Sequence, residues 1–90
     1  MQLNRESIID AAISLLDTYG LGDVTMRRVA SSLGVAPGAL YWHIANKQAL
    51  IAALAEYIIS PVSGESLEEL SLSLRDALLA HRDGAEVVIA

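Results

Sequence analysis

The side chains with the clearest chemical capacity lie within one short stretch of the sequence. Tyr41, His43 and Lys47 carry hydroxyl, imidazole and ammonium groups, which can donate hydrogen bonds to phosphate oxygens. Arg27 and Arg28 carry guanidinium groups, either of which can form a bidentate contact with the edge of a guanine. Phosphate contacts combined with base-edge contacts are the chemistry of a protein that reads double-stranded DNA.

The residues just before the aromatic block are small and neutral. Pro37, Gly38 and Ala39 lack long side chains, so a helix that begins there can sit deep in a DNA major groove. The solvent face of an ordinary bundle helix would instead carry charged residues such as Glu and Lys. An outward surface of small and aromatic residues is better explained by contact with a partner.

Two short helices must position these groups. Thr25 is placed to cap the first of them, and Gly34 can adopt the positive φ of a tight turn after it. Pro37 favours the start of the second helix, which apolar spacing extends to Ile44. This pattern predicts a helix-turn-helix whose second helix, residues 37–44, reads the major groove. An ordinary helical hairpin shares the glycine turn and is the structural alternative.

Three further helices complete an all-α pattern. Each follows a polar residue suited to capping, and apolar residues recur inside it at helical spacing. They are predicted at Arg5–Tyr19, from Lys47 to just before Pro61, and from Leu67 to a terminating Gly84. The predicted fold is therefore a three-helix, homeodomain-like bundle that contains the helix-turn-helix, followed by linker helices of a truncated helical core.

The last residues of the sequence, 85–90, are mostly apolar. Terminal segments are usually polar and poorly ordered, so this segment resembles the start of another element. We therefore expect the sequence to be a fragment of a longer protein. A frayed tail that packs on its own domain is the alternative.

Composition and charge restrict the function classes. With 90 residues, 53% hydrophobic content and no cysteine, the chain suits one small domain without disulfides, thiolate metal sites or a cysteine nucleophile, and it fits a reducing, cytoplasmic environment. No apolar run approaches the roughly 20 residues of a membrane span. The net charge is −5, but acidic and basic residues balance over residues 1–47 and the surplus acidity lies in 48–90. Because residues 1–47 carry no net charge, we expect modest DNA affinity for a single copy of the chain.

Several of the singled-out residues have a purely structural interpretation. Trp42 can be a partial core residue that covers a helix end, and His43 can cap the local backbone. Arg28 can be a solvated charge. His81, predicted on the last helix, is better interpreted as a packing or interface histidine than as a metal ligand.

Four sets of residues along the chain form a familiar combination. They are Leu3 to Ala12 (LNRESIIDAA), Leu40 to His43 (LYWH), Asn46-Lys47 with Ala49-Leu50 and Ala53-Leu54-Ala55, and His81 to Ala85 (HRDGA). These stretches closely resemble the tetracycline repressor (TetR) family, and its tetracycline-repressor branch in particular. The resemblance covers essentially the whole chain and is densest over residues 3–58.

The resemblance implies two parts with different roles. Residues 1–47 would be the DNA-binding head, and residues 48–90 the connecting helix and the start of a core that dimerises and binds a small-molecule effector. In this family effector binding moves the two heads apart and releases the operator. The implied function is a homodimeric, sequence-specific transcriptional regulator, an effector-released repressor of a near-palindromic operator, with no cofactor and no catalytic metal.

The predicted DNA contacts include both matches to the branch and departures from it. Arg27, Tyr41, Trp42, His43 and Lys47 match its DNA-contacting positions. Met26 replaces a threonine, and the run of small residues that opens the second helix replaces glutamine, proline and threonine; because that glutamine reads a base, we expect a different operator. The full predicted set is Thr25, Met26, Arg27, Arg28, Pro37, Gly38, Ala39, Tyr41, Trp42, His43 and Lys47.

The second half of the chain also departs from the branch. Ser63 and Val88 stand where the branch has histidines for drug and metal, and the linker is about one helical turn shorter. These differences do not favour recognition of magnesium–tetracycline. A helical protein-interaction module without DNA binding is the alternative function, motivated by the acidic second half. The sequence gives little support for an enzyme, because its two histidines are far apart and no carboxylates cluster for catalysis.

Overall fold

The computed structural model describes residues 3–90, and the regular structure in that range is helical throughout. This confirms the predicted all-α class. Residues 3–90 form six α-helices, with a short 3₁₀ turn at Leu21–Asp23 after the first. They are α1 (Arg5–Tyr19), α2 (Met26–Leu33), α3 (Pro37–Leu40), α4 (Lys47–Ile59), α5 (Leu67–Leu79) and α6 (Gly84–Ile89).

Polar caps fix where four of these helices begin. Asn4, Thr25, Asn46 and Ser66 each have extended backbone, and each side-chain oxygen accepts a hydrogen bond of 2.8–3.1 Å from the amide three residues later. Such a bond satisfies one of the amides that the first helical turn leaves unpaired. Ala36, which precedes α3, makes no side-chain cap. The predicted starts of α1, α2, α3, α4 and α5 are therefore confirmed.

The core lies where α1, α2, α3 and α4 meet. Its side chains recur at three- and four-residue spacing along each helix, which places them on one face. Ile8 and Leu16 on α1, Val29 on α2, Leu40 on α3 and Leu54 on α4 are all fully buried. Burying side chains of this size stabilises the fold by roughly 1.5–3 kcal/mol each. The core thus sets the angle at which α3 leaves the bundle.

A glycine turn joins α2 to α3. Gly34 has φ 71° and ψ 28°, in the left-handed region, and the Val35 amide donates to the Ala30 carbonyl over 3.0 Å. This arrangement satisfies carbonyls at the end of α2 that would otherwise be unpaired. Ala30 is fully buried, as expected for a small residue where the two helices approach closely.

Regular α3 is shorter than predicted. It ends at Leu40, and Tyr41 to His43 continue as a turn instead of extending the helix to Ile44. The Leu40 carbonyl accepts from the amides of both His43 and Ile44 at 2.9 Å, which tightens the chain into its last turn. Asn46 is extended two residues later, because it must cap α4.

The end of α5 also differs from the prediction. The helix stops at Leu79, and Gly84 opens α6 instead of terminating α5. Asp83 takes a left-handed φ of 57° just before it. A side chain at Gly84 would collide with the Leu78 carbonyl, so only glycine allows this close reversal. The apolar segment 85–90 does form a further helical element, as its composition predicted.

The turn between α5 and α6 is tied to the end of α1. His81 Nδ1 lies 3.0 Å from Asp17 Oδ1, and the His81 ring meets the Tyr57 ring edge-on at a centroid distance of 5.7 Å. Arg82 donates from its guanidinium to the Thr18 carbonyl over 3.2 Å. These contacts support the interpretation of His81 as a packing histidine, although it lies in the turn and not on α5.

Candidate nucleic-acid interface

The stretch from Pro37 to Ile44, which comprises α3 and the turn after it, is called the α3 segment below. The side of this segment that is buried determines which of its groups face outward. Leu40 is fully buried and Ile44 is 3% exposed, so they anchor the segment to the core. Pro37 and Gly38 are exposed, and Ala39 is half-buried. No atom lies within 4 Å of the position that a Cβ would take on Gly38. The outward surface of α3 is therefore open and nearly free of side chains.

Two large aromatic side chains project beside this open surface. Trp42 is 88% exposed and Tyr41 is 51% exposed. Trp42 is therefore not a core residue, and the structural alternative for it is wrong. Leaving an indole in water forgoes roughly 25 cal/mol for each Å² of apolar surface that could be buried. An aromatic pair exposed to this extent suits contact with a partner.

His43 and Lys47 extend the same surface towards α4. The His43 side chain is exposed, and the local backbone contact at this position is made by its amide, which donates to Leu40. Lys47 is the first residue of α4 and is exposed. The Asn46 cap fixes its backbone, which follows Ile44 by three residues in the chain.

The start of α2 contributes a second group of side chains. Thr25 is occupied as the N-cap, with its hydroxyl accepting from the Arg28 amide at 3.1 Å. Arg27 and Arg28 are exposed. Met26 is only 8% exposed and packs in the core, which departs from its predicted role as a contact residue. Its side chain supports α2 from inside, because apolar burial is more favourable there than contact with water.

Arg28 is held in place by two neighbours. Its guanidinium lies 3.4 Å from Asp23 Oδ1 and 5.0 Å from the centre of the Tyr19 ring. Arg28 is thus more than a solvated charge, since an ion pair and a cation–π contact both orient it. Sequence reasoning missed Tyr19 and Asp23, because nothing in their types or spacing distinguishes them from helix-end and turn residues.

Two cationic side chains of this region have no carboxylate partner among residues 3–90. Arg5 lies 3.5 Å from Glu56, Arg28 pairs with Asp23, and the remaining pair joins a histidine to an aspartate. Arg27 and Lys47 take part in none of these pairs. Although acidic and basic residues balance over residues 1–47, no ion pair in the described residues neutralises the charges of Arg27 and Lys47.

Residues 3–90 contain no group of three or more His, Cys, Asp or Glu side chains arranged to hold a metal ion. Among these residues, every helix is too short or too polar to span a bilayer.

A family comparison agrees with this geometry. Residues 8–54, which include most of α1, all of α2 and α3 and much of α4, match the model for bacterial regulatory proteins of the tetR family. The chain belongs to the TetR family. Its α2–turn–α3 unit is thus the helix-turn-helix of a bacterial regulator, and the alternative of an ordinary helical hairpin is not favoured.

Individual TetR family members are similar along nearly the whole chain. The class D tetracycline repressor of Escherichia coli is 45% identical over 97 residues, covering 96% of this chain and 44% of the repressor. The chain thus spans less than half the length of that relative.

Several solved structures share the fold closely. The crystal structure of Mycobacterium smegmatis BioQ superposes with a TM-score of 0.94 at 45% identity, covering 98% of this chain and 53% of that protein. A structure of BioQ with its natural double-stranded DNA operator gives a TM-score of 0.92 at 45% identity, over 98% of this chain and 57% of that protein. The arrangement of the six helices is therefore one that similar proteins of known structure adopt.

Proposed function

We propose that this protein is a sequence-specific DNA-binding transcriptional regulator that places the α3 segment in a major groove. The observation that carries the proposal is the outward surface of that segment. Gly38 leaves it open, Trp42 is 88% exposed beside it, and Leu40 is fully buried behind it. A rigid core thus holds an open, aromatic-flanked helix start where a groove could receive it.

The side chains around α3 divide naturally by the DNA groups that they can reach. Tyr41 and His43 can donate to phosphates, and Lys47 can neutralise one. Arg27, which has no ion pair in residues 3–90, can reach a guanine edge. The small residues Pro37 and Gly38 allow α3 to approach the bases, and their identity favours an operator different from that of the tetracycline repressors.

The proposal extends to assembly and regulation. Residues 1–47 form the DNA-binding head, and residues 48–90 connect it to a helical core that dimerises and binds a small effector. A dimer would read a near-palindrome with half-sites about 34–36 Å apart or a multiple of that distance. Effector binding would release the operator, so the regulator acts as a repressor in the cytoplasm. Similarity to the repressors and to operator-bound BioQ supports this scheme.

Selection from a random pool of double-stranded DNA tests the proposal. The intact protein should enrich a near-palindromic site, and binding to that site should weaken steeply as salt rises. A variant with Tyr41→Ala and Trp42→Ala provides the control, because both side chains are largely exposed and their removal leaves the core unchanged. If the intact protein enriched no sequence, or the same sequences as this variant, DNA reading by the α3 surface would be wrong.

A further inference from the structure

A second surface feature is a pocket of about 390 Å³ between α1 and α2. The lining is mainly apolar in area, but it carries two guanidinium groups and two serine hydroxyls beside one leucine and one tyrosine. A carboxylate, that of Asp23, lies 3.4 Å from the Arg28 guanidinium. The lining residues are Leu15, Tyr19, Arg27, Arg28, Ser31 and Ser32. A lining of this chemistry suits a small anion whose oxygens accept several hydrogen bonds.

Arg28 is already positioned for such an anion. Its Nη1 atom faces Asp23 Oδ1 at 3.4 Å, while its guanidinium carbon lies 5.0 Å from the Tyr19 ring centre. A guanidinium has five N–H donors, so the contact with Asp23 leaves others available. Because the side chain is oriented in advance, binding an anion would immobilise little additional freedom. About half of the side chain, 46%, stays exposed and open to a ligand.

The two serines have different roles in the pocket. The Ser32 hydroxyl donates to the Val29 carbonyl over 2.8 Å, which commits its proton to the helix backbone. Ser31 is exposed on the same pocket wall, where its hydroxyl can donate to an anion. The donors suited to the ligand are therefore the Arg28 guanidinium and the Ser31 hydroxyl, with Arg27 at the edge of the same pocket.

We propose that this pocket binds a phosphate group of the DNA backbone, outside the base pairs that α3 reads. The inference rests on the proposed function. The first helix of a helix-turn-helix crosses the DNA backbone, and here that helix is α2. Arg28 is drawn back onto Tyr19 and Asp23, so it is placed for a phosphate and not for a base edge. Base reading then falls to Arg27, which separates two roles that the sequence leaves interchangeable.

A methylphosphonate scan of the selected operator tests the assignment. Each backbone phosphate in turn is replaced by a neutral methylphosphonate, and the affinity of the intact protein is measured. The wild type should lose affinity at one flanking position in each half-site. In the Arg28→Ala protein that position alone should become insensitive, because the guanidinium that contacted it has been removed. In the Ser31→Ala protein its sensitivity should fall only in part, because Arg28 remains. For the Arg28→Ala protein, the slope of the logarithm of affinity against the logarithm of salt concentration should become shallower by about 0.9 for each half-site.

Arg5→Ala is the matched control. Arg5 is also a partly exposed arginine paired with a carboxylate, Glu56, at 3.5 Å, but it does not line the pocket. Arg5→Ala should leave the sensitivity to methylphosphonate unchanged at every position of the scan. Arg28→Lys should restore part of the salt dependence of affinity that Arg28→Ala loses. If Arg28→Ala and Arg5→Ala gave the same scan and slope while the wild type bound its operator, the pocket assignment would be wrong and DNA binding would stand. Failure of the wild type to bind any DNA would instead overturn the proposed function itself.

A free phosphate compound could present the same chemistry, and a competition measurement separates the two sources. Inorganic phosphate should weaken operator binding more than chloride at equal ionic strength, and Arg28→Ala should abolish that difference. Phosphate that binds the wild type, as followed by ³¹P line broadening, without affecting operator affinity would show that the pocket serves a free phosphate. That result would overturn the backbone assignment.

Discussion

The side-chain carboxylate of Asp83 accepts a hydrogen bond of 2.9 Å from the backbone amide of Leu21, 62 residues earlier in the chain. Asp17 makes the complementary contact from α1, with His81 Nδ1 at 3.0 Å and the Arg82 amide at 3.3 Å. The α5–α6 turn is thus fixed to the segment that leads from α1 into α2. Movement of α6 cannot leave that segment unaffected while these bonds hold.

Replacing Asp83 should weaken this connection. Asp83→Ala removes the acceptor for Leu21 and places alanine at φ 57°, so we expect the free energy of unfolding to fall by about 1–3 kcal/mol. Asp83→Asn is the control, since its amide oxygen can still accept and asparagine tolerates this backbone. Denaturant unfolding followed by circular dichroism measures both. Equal losses in the two variants would show that the hydrogen bond does not stabilise the turn.

Leu40 and Trp42, two positions apart, should respond oppositely to truncation. Leu40 is fully buried, so Leu40→Ala should cost about 2–5 kcal/mol of unfolding free energy through lost burial and a cavity. Trp42→Ala should leave stability nearly unchanged, because the side chain is 88% exposed, yet it should weaken operator binding. Thermal unfolding and DNA titration of the same samples make the comparison. A large loss of stability in Trp42→Ala would contradict the exposed placement.

The two glycines around the turn form another pair. Gly34 has φ 71°, so Gly34→Ala should cost about 1–2 kcal/mol although the space around it is open. Gly38 has equally open surroundings and lies inside α3, so Gly38→Ala should keep or slightly raise stability. Its methyl group should nevertheless reduce operator affinity by preventing close approach. Unchanged affinity would place Gly38 away from the groove.

Replacing Arg27 and replacing Lys47 should have different effects on the preference of the protein for particular base pairs. Arg27→Ala should relax base preference at one operator position, at a cost of about 1–3 kcal/mol for the preferred sequence. Lys47→Ala should weaken preferred and unrelated sequences by similar factors and lower the salt slope by about 1. Competition binding against single-base operator variants tests both. Identical profiles from the two proteins would refute this division of roles.

Local sequence signals predict where the helices of this chain start, but they do not predict contacts between residues that are distant in the sequence. Asn4, Thr25, Asn46 and Ser66 are readable because a cap and its amide lie three residues apart. Gly34 is readable because a left-handed turn needs a glycine. The end of α3 at Leu40 is harder to predict from the sequence, because it depends on where the chain must extend to cap α4.

The candidate site shows the same division. The outward residues of α3 follow from the periodicity that buries Leu40 and Ile44. The burial of Met26 and the orientation of Arg28 by Tyr19 and Asp23 depend on how α2 packs against α1. A single sequence does not specify that packing, so the pocket between these helices is visible only in three dimensions.

Trp42 provides the most direct measurement of whether α3 enters a groove, because it is the single tryptophan of the sequence and is 88% exposed. Its fluorescence would be followed as the selected operator is added, with acrylamide as a probe of access and a shuffled duplex of the same composition at equal salt as control. We expect the operator to shield Trp42 from acrylamide and the shuffled duplex to do so far less. Equal access to acrylamide in the operator-bound and free protein would contradict the account.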